Sequence, residues 1–167
     1  MQKAKINKIF ENLSKHIGNP KTELKYKNSY TFLISVVLSA QSTDKSVNLA
    51  TEGLFKIVKK PQDMVKIGEK ILKTHIKTIG LYNSKAKNII KLSKILIDKH
   101  NGKIPENFES LVSLPGVGNK TASVFQNEIL KIPRIAVDTH VFRVSNRIGL
   151  VETKTADKTQ YLLEKIV

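Results

Sequence analysis

The chain has 167 residues, 40% of them hydrophobic, enough for one domain or for two small lobes around a shared core. Its formal charge of +15, from 29 Lys and Arg against 14 Asp and Glu, favours a polyanionic partner, although a lysine-rich genome produces the same bias. Cysteine is absent, which excludes thiol catalysis, disulfides and cysteine-ligated metal within this sequence, and the scattered His16, His75, His100 and His140 show no ligand spacing.

Met1 opens a polar, lysine-rich segment with no apolar signal region, so a soluble, cytosolic protein is expected. Residues 3–16 carry Ala4, Ile6, Ile9, Phe10 and Leu13 at helical spacing, with Gly18-Asn19-Pro20 as the stop. Residues 29–39 are nearly all apolar. Periodicity does not separate buried helix from buried strand there, Val36-Val37 leans towards strand, and the run is too short to cross a bilayer. Thr43 offers an N-cap and Asp44 a first-turn acid for a helix to about Val58. The stretch IKTIGLYNSKA, Ile76–Ala86, sets Gly80 and Leu81 between an apolar helix end and a lysine-bearing helix, a spacing that an ordinary C-cap glycine explains. Over 82–99, Ala86, Ile89, Ile90, Leu96 and Ile97 line one side, while Lys85, Lys87, Lys91 and Lys94 lie away from it.

The segment SLPGVGNKTASVF, Ser113–Phe125, breaks at Pro115, passes Gly116-Val117-Gly118 and restarts as a helix over 121–130. Two glycines around Val117 let the chain reverse with N–H groups pointing outward, where the next helix begins and anions are favoured. That is the physics of a helix-hairpin-helix, which grips a DNA phosphate without reading sequence. A plain turn between helices fits the same pattern. Lys120, in the first turn, is placed to contact phosphate or, as a neutral amine, to act as a nucleophile. Downstream, IAVDTHVFRVSNRIG puts Asp138 after three apolar residues, as an N-cap or as a carboxylate held at a helix mouth for chemistry. Helices over 138–147 and 156–167 complete an all-α reading.

LPGVGNKTASV followed by AVDTHVFRVSNR resembles the endonuclease III family of helix-hairpin-helix DNA glycosylases, and VLSAQSTDKSVN and IKTIGLYNSKAKNI are similar to further segments of that family. The resemblance runs from end to end. It implies a bacterial, nucleoid-associated base-excision enzyme that removes oxidised pyrimidines from double-stranded DNA and nicks abasic sites by β-elimination, acting as a monomer with no membrane partner. By position, Lys120 stands at the family's nucleophile and Asp138 at its catalytic aspartate. Gln41 matches the residue that fills the space of the extruded base, and Leu81 the apolar wedge from the other side. By the same resemblance, Leu114, Gly116, Val117 and Gly118 stand in the hairpin that would hold a backbone phosphate. His140 and Arg143 are read as solvated helix residues, Asp44 as a cap, and Asn119 as a place where relatives are often basic. The implied architecture is a six-helix domain at 22–132 and a second lobe of 1–21 plus 133–167, with Lys120 and Asp138 facing a cleft between them. Complete members also carry a [4Fe–4S] cluster on a C-terminal four-cysteine run. This chain stops at QYLLEKIV without a cysteine, so no cluster is expected on it and its second lobe is expected to be incomplete. The alternative function is a non-catalytic DNA-binding module or an inactive fragment.

Overall fold

The computed structural model describes residues 3–18 and 20–167, and all regular structure among them is helical. Helix α1 (Lys3–Ile17) ends at Gly18, whose N–H makes the last ladder bond, to Ser14 O at 2.9 Å, and whose φ of +68° turns the chain out of the helix; Asn19, part of the expected stop, lies outside the described residues. Helix α2 (Ser29–Ser39) resolves the ambiguous apolar run. Asn28 Oδ1 accepts the Thr31 N–H at 2.9 Å and Thr31 Oγ1 accepts the Asn28 N–H at 2.9 Å, a reciprocal cap that fixes a helical start. Every residue from Tyr30 to Leu38 is buried, so packing on all sides overrides the strand preference of Val36-Val37.

Thr43 caps α3 (Asp44–Ile57), its Oγ1 accepting the Ser46 N–H at 3.3 Å, and Asp44 sits in the first turn. Helix α4 (Pro61–Ile76) supplies the apolar helix end expected before Gly80 and is broken at Gly68, while α6 (Phe108–Val112) goes beyond the elements read from the sequence. Between them runs α5 (Tyr82–His100), ended by Asn101 in a left-handed conformation. The single helix expected over 121–130 is α7 (Asn119–Phe125) continuing into a π-helical turn, Gln126–Leu130. Lys131, at φ +55°, closes that turn. Helices α8 (Thr139–Arg147) and α9 (Ala156–Ile166) follow.

The chain forms two compact units, Glu23–Ile132 and Met1–Thr22 with Pro133–Val167. In the first, Phe32, Leu33, Ile34 and Leu38 of α2 pack with Leu54, Leu72, Ile89, Leu92 and Phe125 in one apolar core. Each fully buried side chain of this kind contributes roughly 1.5–3 kcal/mol. Within it the Tyr30 hydroxyl meets Ser93 Oγ at 2.7 Å, and Ser93 Oγ also donates to Ile89 O, so neither hydroxyl is left unsatisfied. Burial raises the Tyr30 hydroxyl well above the usual phenol range and keeps it protonated. The second unit has a smaller core of Val137, Val151 and Leu163, flanked by Ile135, Val141, Phe142 and Leu162.

Candidate active site

The hairpin is set by two buried anchors and an exposed rim. Leu114 and Val117 are buried, and their N–H groups bond Leu111 O at 3.1 Å and Leu114 O at 3.0 Å; Gly116 and Gly118 between and after them are exposed. Gly116 has φ +82°, and a methyl group there would lie 3.3 Å from both Val37 Cγ1 and Asn88 Cβ. The turn therefore needs glycine twice over, for its backbone conformation and for its close seat on α2 and α5. Gly118 is extended and forms the N-cap of α7 without a capping side chain, and Asn119 and the exposed Lys120 open that helix.

Asp138, in the second unit, is half-buried at the N-cap of α8, where Oδ1 accepts the N–H groups of His140 and Val141, each at 2.9 Å. The extended segment before it is tied down by Glu164, whose carboxylate accepts the Ile135 N–H at 3.1 Å and pairs with Arg134 at 3.3 Å. Burial alone would raise the Glu164 pKa, but the Gln160, Ile135 and Arg134 donors outweigh it and hold the carboxyl below its usual range. His140 and Arg143 are both exposed, with Arg143 Nη2 3.5 Å from His140 Nδ1.

Gln41 and Leu81 lie on neighbouring turns of the larger unit. Both have left-handed backbones, φ +55° and +58°, unusual for side chains of this size, and Leu81 is 62% exposed. A methyl group on Gly80 would sit 3.7 Å from the Gln41 carbonyl oxygen, so the two turns touch through their backbones. The expectation that Lys85 points away from the core is overturned: it is only 7% exposed. Its amine donates to Leu38 O at 2.9 Å, Ala40 O at 2.6 Å and Ser42 Oγ at 3.1 Å. Lys85, Ile89, Leu92 and Leu96 form one buried stripe at helical spacing, a pattern present in the sequence but masked by counting lysines as solvent-facing.

Residues 34–167 match the family described as HhH-GPD superfamily base excision DNA repair protein. The chain is 53% identical over all 167 residues to the endonuclease III of Rickettsia conorii, of which it covers 80%. The chain belongs to the endonuclease III family. Among solved structures, a non-covalent endonuclease III–DNA complex aligns with TM-score 0.93 at 40% identity, covering 100% of this chain and 78% of that one. A trapped endonuclease III–DNA covalent intermediate aligns with TM-score 0.94, also at 40% identity, covering 100% of this chain and 79% of the other. Of the cofactor linked to the endonuclease III family, iron–sulfur clusters are held by cysteine thiolates, and this sequence has none, so its residues do not fit a cluster. Among the described residues no helix is long and apolar enough to cross a membrane.

Proposed function

We propose that this chain is a base-excision DNA glycosylase with abasic-site lyase activity, acting as a monomer on duplex DNA that contains oxidised pyrimidines or abasic sites. The observation that carries the reading is Lys120, an exposed lysine in the first turn of a helix that follows a glycine hairpin, in a chain of the endonuclease III family. The hairpin Leu114–Gly118 grips a backbone phosphate through the N–H groups of its exposed glycines, Gly116 and Gly118, aided by the +15 charge of the chain. The damaged base leaves the stack, Gln41 fills the vacated space and Leu81 wedges in from the opposite side.

Lys120 Nζ then attacks C1′ of that nucleotide. The C1′–N bond breaks, its electron pair leaves with the base, and the base takes up a proton. Opening of the sugar ring leaves a Schiff base between Nζ and C1′. Loss of a C2′ proton expels the 3′ phosphate and cuts the strand, and water then releases the lysine. Asp138 supplies the carboxylate for this chemistry, taking the proton from the amine or stabilising positive charge on the sugar. His140 and Arg143 are solvated residues of α8, and the enzyme works in the cytoplasm on nucleoid DNA.

Borohydride reduction with a thymine-glycol or abasic duplex tests the reading. A covalent adduct is expected with the native sequence and none with Lys120→Ala. Salt-sensitive binding without adduct or nicking would overturn catalysis in favour of a DNA-binding module. Base release that leaves the abasic strand intact would instead mark a monofunctional glycosylase.

A further inference from the structure

The turns that carry Gln41 and Leu81 are exposed and hold two non-glycine residues in the left-handed region, a conformation that costs roughly 1–2 kcal/mol per residue. Such a conformation persists where surrounding contacts over-determine it. At Gln41, the Lys85 side chain supplies such contacts. A lysine has three N–H donors and no acceptor, and Lys85 directs its amine at Leu38 O, Ala40 O and Ser42 Oγ, acceptors on both sides of Gln41. Two of these lie at the C-terminal end of α2, where the helix dipole favours a cation. The same residue's backbone N–H bonds Leu81 O at 3.0 Å, the first bond of α5 after the Leu81 turn.

The burial of Lys85 also separates it from its neighbours. Lys87, Lys91 and Lys94 on the same helix are exposed and free to meet phosphate, whereas Lys85 is covered and its amine faces protein carbonyls. Desolvation pushes its pKa down, a cost that an apolar residue on the Ile89–Leu92–Leu96 stripe would avoid. We propose that Lys85 is a positioning residue for base extrusion, its amine pinning the Gln41 turn, which touches the Leu81 turn through Gly80, so that Gln41 enters the duplex in register with the wedge. This rests on the roles given to Gln41 and Leu81 above.

The test uses a duplex with a tetrahydrofuran abasic analogue opposite 2-aminopurine, whose fluorescence rises when wedge insertion unstacks it. The analogue forms no Schiff base, so the signal is independent of Lys120. The native chain is expected to give a rise, and Lys85→Met to cut it about tenfold, the effect of losing a charge-assisted hydrogen bond. DNA affinity by anisotropy should stay near native, because no phosphate contact is removed. Gln41→Ala should cut the rise as well, and Lys85→Met combined with Gln41→Ala should be no worse than Gln41→Ala alone. A native-sized rise in Lys85→Met, or losses that add in full in the double variant, overturns the proposal while leaving the wedge reading standing. Absence of a rise in the native chain overturns the wedge reading and this inference with it. Should Lys85→Met fail to fold, Ser42→Ala decides: it removes one acceptor from the half-exposed rim, and an undiminished rise there overturns the proposal.

Discussion

In Glu23–Ile132, helix α2 is covered on every side and the surrounding helices bury Phe32, Leu54, Leu72, Leu92 and Phe125 around it. In the unit that combines the N-terminal segment with Pro133–Val167, the buried apolar cluster is Val137, Val151 and Leu163, and polar contacts tie down the segments around it. Glu164 fixes the segment leading to Asp138, and Asn146 Oδ1 accepts the Thr153 N–H at 2.7 Å while Asn146 Nδ2 donates to Phe142 O at 2.8 Å. Apolar burial is strong and non-directional; hydrogen bonds and ion pairs are weaker in net terms but fix direction. The hairpin, Gln41 and Leu81 are thus mounted on a unit stabilised mainly by packing, and Asp138 on one whose local geometry depends on directional polar contacts.

The contrast is most open to attack in the cores. Phe32 is fully buried and lies 4.7 Å from the Tyr26 ring and 6.3 Å from the Phe125 ring, so Phe32→Ala is expected to cost about 3–5 kcal/mol in urea unfolding. Leu163→Ala should fall near the lower limit for such changes, about 2 kcal/mol, because a thin core collapses more readily around the gap. Equal losses in the two variants would break the comparison. Gly116→Ala comes next, at roughly 1–2 kcal/mol, since its φ of +82° disfavours a side chain and the new methyl meets Val37 and Asn88. Thermal midpoints would register it.

Asp138 separates capping from chemistry. Asp138→Ala should cost about 1 kcal/mol through loss of the α8 cap, whereas Asp138→Asn keeps a capping oxygen and most of that stability. Both should lose adduct formation on borohydride trapping; an active Asp138→Asn would confine the aspartate to its structural task. The smallest effect concerns Glu164. Its folded pKa lies below the ordinary carboxyl value of 4.5, so its stabilising contribution is complete above that pH and is lost as pH falls through the lower folded value. A thermal midpoint that declines below about pH 4.5 in the native chain and stays flatter in Glu164→Gln is the expected result.

Local chemistry was readable wherever one residue determines one contact. Thr43 and Asp138 announce helix starts because their side chains accept from the following N–H groups, and both do so. The hairpin was legible for a similar reason, as Gly116 has few substitutes at φ +82°. Helix α2 was ambiguous because a segment buried on all sides has no period to read, and the Asn28–Thr31 cap is the local signal that marks its helical start. Lys85 was misjudged because its burial depends on acceptors 43 to 47 positions earlier in the chain, which helical spacing does not reveal. The roles of Lys120, Gln41 and Leu81 came from family register; composition and spacing alone left Lys120 between a phosphate contact and a nucleophile.

One contact made by the hairpin carries a mechanical consequence. Gly116 rests against Val37, and the next residue of α2, Leu38, offers its carbonyl to the lysine that brackets the Gln41 turn. In the proposed roles, the grip on the strand and the probe that enters it are gauged from a single buried datum. A small displacement of α2 would carry the hairpin and the Gln41 turn together, much as two tools bolted to one rail keep their separation when the rail shifts. Accuracy on a flexible duplex then depends on the stiffness of eleven residues rather than on the stillness of the whole molecule.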